Sequence, residues 1–255
     1  MLAVITGLLQ LKITPKVGLR YWVAILIASM CGTNIGDFVP DILKFSAGAG
    51  LLILVLLFSA IVAADRMTRY GGEVFYWLAI LVVRAAATNI ADFSIGSAHL
   101  GYGTVAAVLA ALLVGLVELQ RKSGPKSSKG NLPPTDGLYW LTMLTAGSLG
   151  AVIGDGIGHA FGRVQIGVPI SAGIAAIALV LILGVRARLA SASHASYWVA
   201  VVAVRWFGTN IGDIGAFFLS LSISMVATGL ALALTVLLWR APVTGHRDDA
   251  RSLEV

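Results

Sequence analysis

Four aspartates lie inside apolar stretches of the chain, each fifteen residues after the tryptophan of a Tyr-Trp pair. Four copies at one spacing, separated by 55, 63 and 58 residues, indicate a fourfold internal repeat. A carboxylate inside an apolar segment costs free energy, so each of these acids is a candidate functional group. The pairs begin at Tyr21, Tyr76, Tyr139 and Tyr197, and the acids are Asp37, Asp92, Asp155 and Asp213.

Further oxygen-bearing side chains precede the acids in three of the repeats. Residues three and four positions before an acid share its side of a helix. Carboxylate, amide and hydroxyl oxygens suit hard cations such as Mg²⁺, Ca²⁺ and Mn²⁺, or Na⁺ and protons. Repeat three departs from the pattern, with Ala151 and Val152 at these positions. The predicted cation ligands are the four acids together with Asn34, Asn89, Asn210, Thr33, Thr88 and Thr209.

Two additional candidate ligands occur four residues after the acid, Asp41 in repeat one and His159 in repeat three. The other two repeats carry Gly96 and Phe217 there. A histidine would shift the preference of the site towards Mn²⁺ or another first-row metal. A histidine at the edge of a loop is also commonly an interfacial residue, so both interpretations of His159 stay open.

Two arginines, Arg84 and Arg205, occupy equivalent positions seven residues after the tryptophan in repeats two and four, where repeats one and three have Ser29 and Gly147. The alternation indicates duplication of a two-repeat unit. Four ionised aspartates and two arginines sum to −2, which one divalent cation or two protons would neutralise. Exchange of these species is the cycle of a proton-coupled transporter. The alternative is that two Asp–Arg pairs are structural and the remaining acids are protonated.

The composition is that of an integral membrane protein. Of the 255 residues, 12% are charged and 58% are hydrophobic, and the mean hydropathy is +0.91. A soluble domain carries about 25% charged residues. Strand-like alternation is absent, so we predict an all-α protein of eight transmembrane helices, arranged as four parallel two-helix repeats with pseudo-twofold halves. The apolar stretches are 20–38, 48–64, 74–92, 99–117, 138–156, 164–185, 196–214 and 216–239.

The basic residues predict the orientation. Fourteen of the eighteen Lys and Arg precede the first span, join the repeats or follow the last span, whereas the loops inside the repeats hold Lys44 and Arg163. The bias places both termini in the cytoplasm, and we predict a multi-pass protein of the bacterial inner (cytoplasmic) membrane. The net charge of +6 is therefore a topology signal, and no nucleic-acid partner is predicted. The single Cys31 excludes an internal disulfide.

Four regions are predicted along the chain. Residues 1–120 form an N-terminal half with repeats one and two, and residues 138–240 form a C-terminal half with repeats three and four. A cytoplasmic linker over 121–137, rich in Lys, Ser, Pro and Gly, separates the halves, and a cytoplasmic tail covers 241–255.

Three local features carry structural expectations. Two small residues four positions apart precede each acid, as in Gly32/Gly36 and Gly208/Gly212, which favours close packing of helices. The Tyr-Trp pairs are typical of aromatic residues at the membrane–water interface, with gating or binding as the alternative. Glycine, asparagine and Pro40 near the acid predict a broken helix that exposes backbone carbonyls.

The sequence resembles a family of bacterial membrane proteins made of four tandem copies of a repeat of unknown function. The resemblance covers Tyr21 to Trp239 and rests on the repeated tryptophans and the T-N-I-G/A-D signatures. It implies two transmembrane segments in each copy and implies no particular activity.

The pattern favours a membrane cation transporter that exports a divalent ion such as Mn²⁺ in exchange for protons. A passive cation channel with an acidic ring, and a non-transporting membrane scaffold or sensor, are the alternatives. No enzyme activity and no permanently bound cofactor are predicted, because no nucleotide loop, zinc-protease motif or haem-ligand pattern occurs. The expected partners are the lipid bilayer and a small inorganic cation, with the protein a monomer or homodimer.

Overall fold

The computed structural model describes residues 9–69, 72–123, 132–188 and 194–239. Residues 124–131 of the predicted linker and the whole predicted tail lie outside these ranges. Within them the chain is all-helical, with eight long helices and a π-helix at Phe93–Ser97 that continues α3. The helices are α1 Leu19–Asp41, α2 Ala47–Met67, α3 Glu73–Asp92, α4 Tyr102–Ser123, α5 Gly137–His159, α6 Val164–Arg188, α7 His194–Leu219 and α8 Leu221–Leu238.

Seven of these eight described helices are long and apolar enough to cross a membrane. The helix outside that set is α7, which carries Arg205, Asn210 and Asp213 along an otherwise apolar sequence. A multi-pass membrane protein is therefore the architecture that the helices fit.

The first helix of each repeat belongs to an inner ring. Within this ring α1 packs on α3, α3 on α5, α5 on α7, and α7 on α1. The second helix of each repeat lies outside and packs most extensively on the inner helix of the following repeat: α2 on α3, α4 on α5, α6 on α7, and α8 on α1. In the first two repeats the two helices of one repeat hardly touch. The predicted out-and-back pair is therefore consecutive in sequence there, but its two helices do not pack on each other.

Burial separates the inner helices from the outer ones. Large apolar side chains on the outer helices face away from the protein, and Leu56, Val108, Val180 and Leu230 are each more than half exposed. Such a surface is expected to face lipid. The inner helices bury their small and polar residues against one another.

Small residues of the inner helices allow this close packing, as predicted. A Cβ atom on Gly32 would overlap Arg84 of the next inner helix, one on Gly150 would overlap Arg205, and one on Gly208 would overlap Ser29. The same motif position therefore forms the contact at successive joints of the ring.

Two local expectations are wrong. Helix α1 is continuous from Leu19 to Asp41 although it contains Pro40, because a helix can accommodate proline in its last turn with few lost hydrogen bonds. The predicted linker starts inside a helix, since α4 continues to Ser123.

Candidate cation site

The four aspartates line one cavity of about 360 Å³ at the ends of the inner helices. Three of them are partly buried and Asp92 is exposed, so the cavity opens to solvent at this end. The threonines four residues before three of the acids form its deeper wall. The lining residues are Thr33, Asp37, Thr88, Asp92, Ile95, Gly96, Tyr102, Asp155, His159, Thr209 and Asp213.

Arg205 closes the floor of this cavity. Its guanidinium Nη1 donates hydrogen bonds to the Thr33 hydroxyl at 2.9 Å and to the Ser29 carbonyl at 3.0 Å. Nη2 donates to the hydroxyl of Thr88. The side chain thus extends from α7 to both α1 and α3, and it is fully buried. Thr33 and Thr209 hydroxyls, 3.5 Å apart, complete the same layer.

Arg84 has a different environment from Arg205, although the two positions are equivalent in sequence. Its side chain is fully buried, and none of its three guanidinium nitrogens has a hydrogen-bond partner. Arg84 lies towards the four repeat tyrosines, whose hydroxyls are neutral, and no carboxylate is among the groups that act on it most strongly. Arg205 is acted on by Arg84 as a like charge and by the carboxylates of Asp155, Asp37 and Asp213. Within the described residues, neither arginine lies within salt-bridge distance of a carboxylate. The predicted Asp–Arg pairs are therefore not formed as direct contacts.

The three asparagines are not placed with the carboxylates, contrary to expectation. Asn34 donates to Ser224 of α8 at 2.8 Å, and Asn210 donates to Ser171 of α6 at 2.8 Å. Asn89 donates to the carbonyl of Ala85 in its own helix at 3.2 Å. These amides lie on the side of each inner helix that faces the covering outer helix, and they do not line the cavity.

The departure of repeat three follows from the same geometry. Val152 replaces the asparagine and packs in an apolar cluster with Ala91, Val105 and Ala151, against Tyr102 at the start of α4. On α4 the residue that packs against position 152 is Val105, whereas α6 and α8 present the serines that accept from Asn210 and Asn34.

Of the two additional candidate ligands, His159 lines the cavity and Asp41 does not. Asp41 is exposed at the end of α1 and does not line the cavity. His159 does line the cavity, where its ring stacks on Tyr102 with centroids 5.7 Å apart. Its Nδ1 lies 2.8 Å from the Asp155 carbonyl and 3.4 Å from the Tyr102 hydroxyl.

Among the described residues, no group of three or more His, Cys, Asp or Glu side chains is close enough to hold a metal ion directly. The carboxylates instead surround a space much larger than one ion. A water molecule occupies about 30 Å³ in the liquid, so the cavity has room for about ten waters or for a hydrated cation.

The opposite end of the inner ring is closed by the four repeat tyrosines. Their hydroxyls form a closed cycle of hydrogen bonds: Tyr21–Tyr76 at 3.1 Å, Tyr76–Tyr139 at 2.7 Å, Tyr139–Tyr197 at 3.2 Å and Tyr197–Tyr21 at 2.6 Å. Each tyrosine is at most 3% exposed. These rings are buried core residues that meet on the axis of the ring, in the first turn of the four inner helices.

Several functional candidates were missed in the sequence. Ile95 and Gly96 reach the cavity because the π-helix after Asp92 carries them there, and Tyr102 contributes from the next helix. The sequence did contain a signal for the tyrosine cycle. All four repeats carry a tyrosine at the same position, and such side chains can meet if the first helices of the repeats form a ring.

The comparisons with known proteins concern the first half of the chain. The model of one protein family, described as Repeat of Unknown Function (DUF347), matches residues 20–70 and 75–124. These ranges are the first two repeats, and the match confirms the resemblance to a tandem repeat family. No curated protein and no solved structure matches the chain.

Proposed function

We propose that the protein is a membrane cation transporter, in which the carboxylate cavity receives a divalent ion such as Mn²⁺ and exchanges it for protons. The observation that carries the proposal is the convergence of Asp37, Asp92, Asp155 and Asp213 on one solvent-open cavity with three threonine hydroxyls. A set of oxygen donors at this charge density favours a hard divalent cation over an anion or an organic solute.

The surrounding charges favour binding of a cation in this cavity. If all four acids are ionised, the cavity carries −4, and the adjacent Arg205 reduces this to −3. Like charges close together disfavour full ionisation, so protons would occupy part of the site when the metal is absent. Binding of one divalent ion would then release protons, which is the coupling that an exchanger requires.

The size of the cavity supports entry of the ion with its water shell. Direct coordination would require the acids to move closer together, because they do not form a metal-holding group in this structure. We therefore propose that the present arrangement is the open state and that the inner helices close around the ion during transport.

The closed tyrosine end supports alternating access over a passive channel. The axis is blocked at two levels, by the hydrogen bonds of Arg205 to Thr33 and Thr88 and by the tyrosine cycle. An open channel needs a continuous path. A transporter needs one side closed while the other is open, which is the arrangement that this geometry supports.

We also propose that all eight helices span the bacterial inner membrane as four parallel repeats. Support comes from the two levels of contact, because tyrosines meet at one end of the four inner helices and acids sixteen residues later meet at the other. The basic segments before each inner helix support a cytoplasmic position for the tyrosine end. The cavity then opens to the outer face.

The test is cation flux in proteoliposomes across a panel of Mn²⁺, Mg²⁺, Ca²⁺ and Na⁺, with a pH gradient imposed or collapsed. We expect flux of a divalent ion that increases with an opposing proton gradient and falls at least about tenfold in Asp37→Asn. Glu118→Gln is the matched control, since Glu118 pairs with Arg121 away from the cavity. Flux that is insensitive to the pH gradient would favour the passive channel, and no flux of any cation would favour the scaffold or sensor.

A further inference from the structure

A second polar layer lies between the carboxylate cavity and the tyrosine cycle, at the level of Ser29, Arg84, Gly147 and Arg205. These residues occupy the same repeat position on the four inner helices. Two of them are fully buried arginines, which places two permanent positive charges in the middle of the ring. Within the described residues, no carboxylate forms a salt bridge with either of them.

The hydrogen-bonding groups of this layer are incompletely satisfied, and the unsatisfied groups can all donate. Arg84 Nε, Nη1 and Nη2 have no partner, and neither do Arg205 Nε and Ser29 Oγ. A buried group without a partner costs about 1–3 kcal/mol, and more when it is charged. An excess of donors around uncompensated positive charge is what an anion would satisfy.

We propose that Arg84, with Arg205 Nε and Ser29 Oγ at the same level, binds a small inorganic anion of the halide class. The small size follows from the packing at Gly147, where an added Cβ would stand 3.6 Å from Arg84 Nη1 and 2.9 Å from the Cβ of Ala87, so little room is left beside the guanidinium. The anion is expected to carry a single charge, because only Arg84 is left for it to neutralise. Arg205 already uses Nη1 and Nη2 in hydrogen bonds to Ser29, Thr33 and Thr88. The anion neutralises Arg84, while Arg205 remains the cation that faces the carboxylates.

This site is independent of cation transport, and it is tested in the absence of divalent metal. The melting temperature of the purified protein in detergent with a chelator is measured as sodium gluconate is replaced by sodium chloride or bromide at constant ionic strength. A halide at about ten times its dissociation constant should raise the melting temperature by about 3–6 °C. The Arg84→Gln variant should lose this rise.

Arg20→Gln is the matched control, because Arg20 is an arginine at the tyrosine end that is paired with Glu73 at 2.6 Å. It should keep the halide-dependent rise. If Arg84→Gln does not fold, Ser29→Ala and Arg84→Lys serve instead, and each should weaken halide binding in a titration followed by ³⁵Cl line broadening. A wild-type melting temperature that does not respond to halide, or a full response in Arg84→Gln, would overturn the proposal and leave water as the occupant.

Discussion

The two ends of the inner ring use the same fourfold repeat in opposite ways. At one end four tyrosines have nearly identical surroundings and form a closed hydrogen-bonded cycle with distances of 2.6–3.2 Å. At the other end four aspartates have different surroundings, since Asp92 is exposed, Asp155 lies beside His159, and Asp213 also borders a second cavity of about 190 Å³. The symmetric end is closed and packed, whereas the asymmetric end surrounds an open cavity. Equal positions in a repeat therefore do not imply equal roles.

The largest effect is expected at the open end. Asp37→Asn and Asp213→Asn remove a charge from the cavity while keeping the shape of the side chain, so each should reduce divalent-cation flux at least about tenfold, a change of about 1.4 kcal/mol in barrier. Protein amounts in the membrane should stay near wild type. Flux assays in proteoliposomes test this, and wild-type rates in both variants would place the site elsewhere.

The next effect separates the two arginines. Arg205→Gln removes a positive charge beside the carboxylates, and we expect cation binding to become at least about tenfold tighter. A unit charge about 8 Å from a divalent ion contributes about 4 kcal/mol at an effective dielectric constant near 20, and a tenfold change corresponds to about 1.4 kcal/mol. Arg84→Gln should change cation affinity less, because Arg84 lies on the tyrosine side of the ring and no carboxylate is among the groups that act on it most strongly. Arg205→Lys keeps the charge and is the control. Equal changes of cation affinity in Arg84→Gln and Arg205→Gln would contradict the different roles assigned to the two arginines.

At the closed end the expected effect is on stability. Tyr139→Phe removes one hydroxyl from the cycle and leaves Tyr76 and Tyr197 short of a partner, at a cost of about 1–2 kcal/mol. The melting temperature should fall by about 2–8 °C while the cation dissociation constant stays unchanged. A large change in cation affinity with unchanged stability would instead indicate that the tyrosines belong to the cation-binding site.

A similar but smaller effect is expected for the asparagines. Asn34→Ala removes the hydrogen bond to Ser224 and should lower stability by about 1 kcal/mol without changing cation affinity. Calorimetric titration of the cation measures the affinity. Loss of cation binding in Asn34→Ala would indicate that the Asn34 amide is a cation ligand after all.

The smallest effect is expected for Asp41→Asn. This carboxylate is exposed at the end of α1 and does not border the cavity. Flux and stability should both remain at wild-type values, and a clear fall in flux would show that Asp41 joins the site in another state.

The sequence was sufficient to predict the helices and the meeting of the acids. Apolar length set the helix positions to within a few residues, and one repeat spacing brought four acids and three threonines together. It was insufficient for the asparagines because of helix geometry. Thr33 and Asn34 lie on opposite sides of Asp37, about 100° apart, and only the packing decides which side faces the axis. It was also insufficient for the outer helices, since no local signal shows that α2 covers α3 instead of α1.

The central claim is that the carboxylate cavity binds a divalent cation, and Mn²⁺ binding to the purified protein tests it most directly. The electron paramagnetic resonance signal of free aqueous Mn²⁺ should decrease on addition of wild-type protein or Glu118→Gln, and lowering the pH should restore it as protons occupy the acids. The double variant Asp37→Asn/Asp213→Asn should leave the signal nearly unchanged. An equal decrease with the double variant, or no decrease with the wild-type protein, would contradict the account.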